Sequence, residues 1–366
     1  MGQSTHPEDL LISAMIDKEP EVRLEHCFAS IQDIFKRALN KDRRLLAFLS
    51  SYGARYMKKG LIQVAYDYDV TIQYREQAPS SIDDVVVDDG DWDASTLIKK
   101  GTPRELTLVT SYYDRVSEKL SEIMCILLSS CEGVHGFDTD CFVFENLSSD
   151  TVCTISYDYI LPQQKLRQLQ GQSAFAAKTV WKSILGKSKV PQFVKPFLAF
   201  SYLTQECCFD QRAYDEMESD RSSQPTDPVP YLAYGPLIER RGISAGFAWA
   251  FKALMDEANI ECSCVAGCLR EDTKIYHIWN LVKIDGQFYH VDPTWGIKEN
   301  GVCISTFMQP DSMMRGTHLW YEEKYPAAKG LRFDYDYIED FLAENGNEFL
   351  DDGANETYFF PDEIID

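Results

Sequence analysis

Phe247, Ala248, Phe251, Leu254, Met255 and Ala258 fall at i, i+1, i+4, i+7, i+8 and i+11. This is one stripe of a 3.6-residue helix, and its length predicts a buried core helix. Downstream, Tyr276-His277-Ile278-Trp279-Asn280 and Tyr289-His290-Val291-Asp292 flank Asp285-Gly286. Aromatic and β-branched runs around Asp-Gly predict a hairpin with a two-residue turn. Such a turn sets Ile284 opposite Gln287 and Trp279 opposite Asp292. Strand residues two apart share a face, so His277, Trp279, His290 and Asp292 are expected on one side.

The rest of the chain alternates between helical and strand-like stretches. Residues 8–50 read as helices, with Leu10, Leu11, Ala14 and Met15 on one stripe and further stripes between Cys27 and Leu49. Leu61 to Ile72 alternates like a half-buried strand. Residues 76–103 are polar and acidic, with Asp88-Asp89-Gly90-Asp91 out of register for a calcium loop. Thr110 to Ser130 returns to helix, with Val116, Leu120, Ile123 and Leu127 on one side. Phe142-Val143-Phe144 and Thr151 to Ile160 then read as strands. Ser156-Tyr157-Asp158-Tyr159 echoes Ala65-Tyr66-Asp67-Tyr68, which hints at a helix–strand unit used twice. Residues 1–170 are therefore expected to form an N-terminal α/β domain, with a connection over 171–192. A helix is expected from Phe193 to Cys208 and a loop from Ser219 to Pro230. No Lys or Arg follows Arg332, so 331–366 is an acidic tail that either docks on the body or is partly disordered.

Candidate chemistry gathers at the helix and the hairpin. Gly242 and Gly246 flank Ser244, so the backbone there can bend and be approached closely. Ser244 is expected at or near the helix N-terminus, where free N–H groups and the positive dipole end lie. A thiol at that point would have a lowered pKa, and the N–H groups would stabilise an oxyanion. The local pattern alone favours a plainer role, serine as the helix N-cap. The hairpin changes that weighting. Asp292 is the diagonal neighbour of His277, the arrangement in which a carboxylate orients an imidazole.

Composition narrows the classes. At 366 residues two domains are a fair prior. A net charge of −22 argues against nucleic-acid binding, and no apolar run is long enough for a membrane helix. The N-terminal residues lack the plan of a signal peptide. With 11 scattered cysteines, this points to a reducing, cytoplasmic location. Cys262, Cys264 and Cys268 lack the paired spacing of a zinc site. Cys262 and Cys264 are expected in the core, and neither a metal nor a cofactor is implied.

Three segments together resemble the transglutaminase-like superfamily of papain-like cysteine enzymes. They are Gly242-Ile243-Ser244-Ala245-Gly246-Phe247-Ala248, His277-Ile278-Trp279-Asn280-Leu281-Val282, and Asp285-Gly286 followed by Val291-Asp292-Pro293-Thr294-Trp295. The resemblance covers roughly 195–325 and implies a core domain over 190–330. The implied fold is α+β, a nucleophile helix packed on an antiparallel sheet. It further implies acyl chemistry on peptide or glutamine amides, with His277 as general base, Asp292 orienting it, and a protein or peptide as substrate. Tyr234, in Tyr234-Gly235-Pro236-Leu237, resembles a segment that precedes the nucleophile helix in bacterial members and is a candidate for lining the site. Trp279 either shields the site or stacks on substrate. His318, in the closing segment, is expected near the core in a structural role. The departure is Ser244, which stands where the family has its cysteine. It is an inactivating replacement, engineered or natural, or the nucleophile of a working serine hydrolase. A non-catalytic module binding a peptide or polymer is the other class of function left open.

Overall fold

The computed structural model describes residues 6–59, 65–76, 78–88, 105–111, 116–143, 147–186, 188–220, 223–298, 301–349, 354–355, 358–359 and 364–365. Most of the acidic stretch after residue 88 lies outside these residues, as does Phe144. The chain forms two compact units, 1–121 with 137–157 and 122–136 with 158–366.

The first unit begins with α1 (Pro7–Ile16), β1 (Glu21–Cys27), α2 (Ile31–Lys41), β2 (Leu49–Lys59) and β3 (Ala65–Tyr74). The strands form an antiparallel sheet in the order β1-β3-β2. The strand β1 departs from the expected run of helices. Its Leu24 and Cys27 are buried, and Glu21 pairs with Thr71, so its partner is distant in sequence. Local periodicity carries no trace of such a pairing. Strands β4 (Val85–Asp88), β5 (Glu105–Thr110), β6 (Val134–Val143) and β7 (Thr151–Tyr159) make a second sheet in the order β4-β5-β7-β6. Helix α3 (Val116–Ser130) precedes β6; its part from residue 122 on belongs to the second unit and carries the expected stripe at Ile123 and Leu127, both buried.

The second unit holds the candidate site. Where a connection was expected, Gln163–Leu185 is a 23-residue helix, α4. Its buried Leu166, Leu169, Ala177, Val180, Trp181 and Ile184 keep helical spacing across Gly171. Glycine in a helix interior costs only about 1 kcal/mol against alanine, less than this apolar face returns on burial. Helix α5 (Lys195–Glu206) matches the expectation closely. Then come β8 (Cys208–Phe209), α6 (Gln211–Ser219) and β9 (Arg241–Gly242), with β8 and β9 paired in parallel. Asp210 caps α6 by accepting from Ala213 N. Arg241 clamps this region, with guanidinium nitrogens 2.7 Å from Asp210, Asp227 and Glu239.

Helix α7 (Ser244–Glu257) is the organising element. Its Phe247, Phe251, Leu254 and Met255 are fully buried and share one cluster with Phe197, Phe200 and Leu203 of α5. Trp181 of α4 donates from Nε1 to Leu254 O at 2.8 Å. On the other side lies an antiparallel sheet of β10 (Cys262–Leu269), β11 (Tyr276–Ile284) and β12 (Gln287–Val291). Short elements follow: α8 (Pro293–Gly296), β13 (Ile297–Lys298), β14 (Gly301–Cys303) and α9 (Asp311–Met314). Strand β15 (His318–Trp320) completes the sheet in the order β12-β11-β10-β15. Ile284 pairs with Gln287 as expected. The turn residues Asp285 and Gly286 have φ of 48° and 78°, the two positive values of a type I′ turn. In the acidic tail, α10 (Tyr335–Phe349) places Ile338 and Leu342 in the same core as α7, together with Phe333, Tyr358 and Phe359. Strand β16 (Ile364–Ile365) pairs in parallel with β14.

Candidate active site

Ser244 is the first helical residue of α7, and Ile243 is the N-cap, with extended backbone and no side-chain capping bond. The serine is thus not the cap that its local pattern favoured, and its half-buried hydroxyl is not consumed in closing the helix. The first-turn N–H groups of a helix have no intrahelical partner. Gly246 lets this end of α7 press against the 229–232 segment, because a Cβ there would collide with the carbonyl oxygens of Pro230 and Leu232. Ile243 N donates to Pro230 O at 2.9 Å and fixes the same approach.

Helix and hairpin are locked in register. Asn280 is fully buried and donates from Nδ2 to Ala248 O at 2.9 Å. Ala245 and Ala248 share a cluster with Ile278. The neighbours of Ser244 therefore rest on the neighbour of His277, and the N-terminal end of α7 lies at the His277 end of β11.

His277 Nε2 lies 2.6 Å from Asp292 Oδ2. The same oxygen meets His318 Nε2 at 3.1 Å. Asp292 Oδ1 accepts from Thr294 N at 2.9 Å and from Trp295 N at 3.4 Å, which makes Asp292 the cap of α8. Its backbone is also held, by Asp292 N to Thr306 O at 3.0 Å and Thr306 Oγ1 to Asp292 O at 3.0 Å. Burial alone would raise the pKa of this carboxyl group. The charge and hydrogen bond of His277, then the bond from His318, reverse that and hold it well below the usual carboxylate range. With Nε2 engaged, Nδ1 is the nitrogen His277 has left for proton exchange. For His318 burial dominates and lowers the imidazole pKa against the pull of Asp292. Its neutral form carries the proton on Nε2, toward Asp292, with Nδ1 2.7 Å from Thr317 Oγ1.

Beneath the pair lies a second buried chain. Trp279 Nε1 donates to His290 Nδ1 at 3.0 Å, and His290 Nε2 lies 2.9 Å from Asp311 Oδ1. Asp311 Oδ2 accepts from Ala328 N at 3.1 Å. The Trp279 ring lies 5.9 Å from that of His277, nearly parallel, and 4.8 Å from that of His318. Trp279 is fully buried. Tyr234 is half-buried and packs against the buried cluster that contains Ile243, as does Ala245; these two residues flank Ser244.

His318 is in the core as expected, but two specific contacts were not foreseen. The bond of His318 to Asp292 depends on the pairing of Leu269 with His318 between β10 and β15. Asp311 lies in the same closing segment as His318, and its bond to His290 was not among the expectations. Cys262 and Cys264 are buried beside Asn280 Nδ2, and burial pushes the Cys262 thiol up to about 12. His277, Asp292 and His318 are the one group among the described residues whose ligand atoms lie close enough, within 4.8 Å, to suggest a metal. The 2.6 Å between His277 Nε2 and Asp292 Oδ2 and the 3.1 Å between His318 Nε2 and Asp292 Oδ2 are hydrogen-bond lengths, shorter than the about 3.3 Å between ligand atoms implied by tetrahedral zinc geometry. The donor set fits proton sharing better than metal binding.

Residues 199–293 match the family model described as the transglutaminase-like superfamily. That segment contains Ser244, His277 and Asp292 and stops short of His318. No curated protein matches the chain. Among solved structures, a provisionally named cysteine protease from Cytophaga hutchinsonii is 14% identical with a TM-score of 0.28, covering 52% of this chain and 71% of its own. A structure described as a TGase is 8% identical with a TM-score of 0.29, covering 76% of this chain and 80% of its own.

Proposed function

Residues 199–293 form a transglutaminase-like core, and from that premise we propose that the chain carries an acyl-transfer site for peptide or glutamine amides, with Ser244 at the nucleophile position. The observation that carries this reading is the bond from His277 Nε2 to the buried carboxylate of Asp292. It fixes the imidazole and leaves Nδ1 to take a proton from a nucleophile. The nucleophile attacks the amide carbonyl, and the N–H groups of the first turn of α7 receive the developing oxyanion. His277 then returns the proton to the leaving amine, and water or a second amine takes the acyl group.

Serine changes the rate, not the plan. A hydroxyl ionises far less readily than a thiol beside an imidazole, so the chain as written turns over slowly or not at all. Cys262 and Cys264 do not substitute for it, because burial suppresses both thiolates. The test is alkylation of a Ser244→Cys variant across pH, read by mass spectrometry of that peptide. The introduced thiol is expected to react well below the free-cysteine pKa of about 8.5 and to lose this on His277→Ala. Ammonia release from glutamine peptides should fall by about 10²- to 10⁴-fold with the same histidine change, the usual contribution of a positioned base.

The serine itself favours one other reading, a peptide-binding module that keeps the cleft without the chemistry. An introduced thiol that alkylates like a free one would put that reading first.

A further inference from the structure

We propose that the groove between α4 and the 234–240 segment is a binding site for an extended apolar peptide that carries a carboxylate. It has a volume of about 750 Å³ and is lined by Gln172, Phe175, Thr179, Tyr234, Ile238 and Arg240, among others. The proposal rests on reading the neighbouring site as one for peptide amides and adds a substrate subsite to it.

The apolar character is plain. Phe175 is 73% exposed and Ile238 is 40% exposed, although both are large hydrophobic side chains. Leu237 and Val180 are buried at the base. Gln168, Gln172, Thr179 and Ser183 stand along the α4 wall. Neutral amide and hydroxyl groups in a row suit the N–H and C=O groups of a peptide backbone, which an alkyl chain does not possess.

Charge supplies the second requirement. Arg240 is the one ionised side chain of the lining, in a chain of net charge −22. Its neighbour Arg241 is matched by three carboxylates. Arg240 instead stacks over the Tyr202 ring, 4.8 Å from its centroid, and has no carboxylate partner among the described residues. Arg240 is exposed, so a carboxylate in the groove can reach it for a charge-assisted hydrogen bond.

The local backbone is built for this side chain. Gly235–Glu239 is a π-helical turn and Arg240, its C-cap, has φ of 60°. A non-glycine residue in the left-handed region is uncommon and mildly strained, and π turns are frequent at functional sites. The groove also adjoins the candidate active site, because its Tyr234 packs against the buried cluster that holds Ile243, next to Ser244 in the chain. A peptide seated here is expected to carry its scissile or reacting amide toward the N-terminus of α7.

The experiment is fluorescence anisotropy on the full chain. The probes are a labelled hexapeptide, Gln-Leu-Thr-Val-Ala-Phe, with a free C-terminal carboxylate, and the same peptide as its C-terminal amide. The carboxylate form is expected to bind at least tenfold more tightly. Arg240→Gln is expected to remove the difference. Gly171→Trp is expected to abolish binding of both peptides. A Cβ on Gly171 meets nothing within 4 Å and the position faces the groove, so the larger side chain enters the open space without disturbing the core. Circular dichroism of both variants checks that the fold persists.

Equal affinity for the two peptides, no binding of either, or full binding by a folded Gly171→Trp variant would overturn the proposal. So would displacement of the peptide by dodecanoate at an equal concentration, which would make the groove a fatty-acid site. Binding is read without turnover, so the two ideas fail separately. Carboxylate-dependent binding beside an inert Ser244→Cys thiol keeps the groove and removes the chemistry. A reactive thiol without binding does the reverse.

Discussion

At the scale of the residue, Asp292 has several jobs at once. One oxygen receives two imidazoles and the other caps α8. Removing it strands buried donors, and breaking a buried pair costs about 3–5 kcal/mol. Asp292→Ala is expected to lose that much in urea denaturation, and a loss below about 1 kcal/mol would show that the carboxylate is not holding the site. His318 adds a pH dependence. Its folded pKa lies below the ordinary histidine value, so the unfolded chain binds the proton first as pH falls. The stability it contributes is complete above about pH 6.5 and drains away as pH drops toward the folded value. Asp292, also depressed, adds a second loss that begins near about pH 4 and continues below it. Melting temperatures of wild type and His318→Gln between pH 7 and pH 5 should therefore converge on acidification. Parallel curves would remove His318 as the source.

At the scale of the element, the start of α7 is where sequence and packing meet. Gly246 is needed for close approach to the carbonyls of Pro230 and Leu232. Gly246→Ala is expected to cost about 1–3 kcal/mol, the usual penalty for overpacking. Gly171→Ala, in open space on α4, is expected to be neutral or to gain up to about 1 kcal/mol. Denaturant titration of the two variants checks both, and a similar response would contradict the contrast. The same elements show how much of the molecule local pattern reveals. The α7 stripe and the hairpin register were legible because both depend on short-range spacing and on one turn. Strand β1 and helix α4 were misjudged. The first is defined by its pairing with β3, and the second contains a glycine and polar residues that read as a connection.

For the whole molecule, two compact units make a single unfolding transition an assumption to be tested rather than a given. Phe251 sits fully buried in the core of the second unit. Phe251→Ala is expected to cost about 3–5 kcal/mol and to lower a calorimetric transition assigned to that unit while leaving the first unit's transition in place. A uniform shift of one peak would show that the units unfold together. The sequence by itself determined a helix with its N-terminus at or near Ser244, the two-residue hairpin turn, and the shared face of His277 and Asp292. Each follows from a periodicity or a turn within a few residues. Only the tertiary structure decided that Ser244 does not cap its helix, that Trp279 is sealed from solvent, and that His318 and Asp311 complete the buried networks. Those outcomes depend on which distant segments pack together, and hydrogen bonds between such segments leave no local spacing to read.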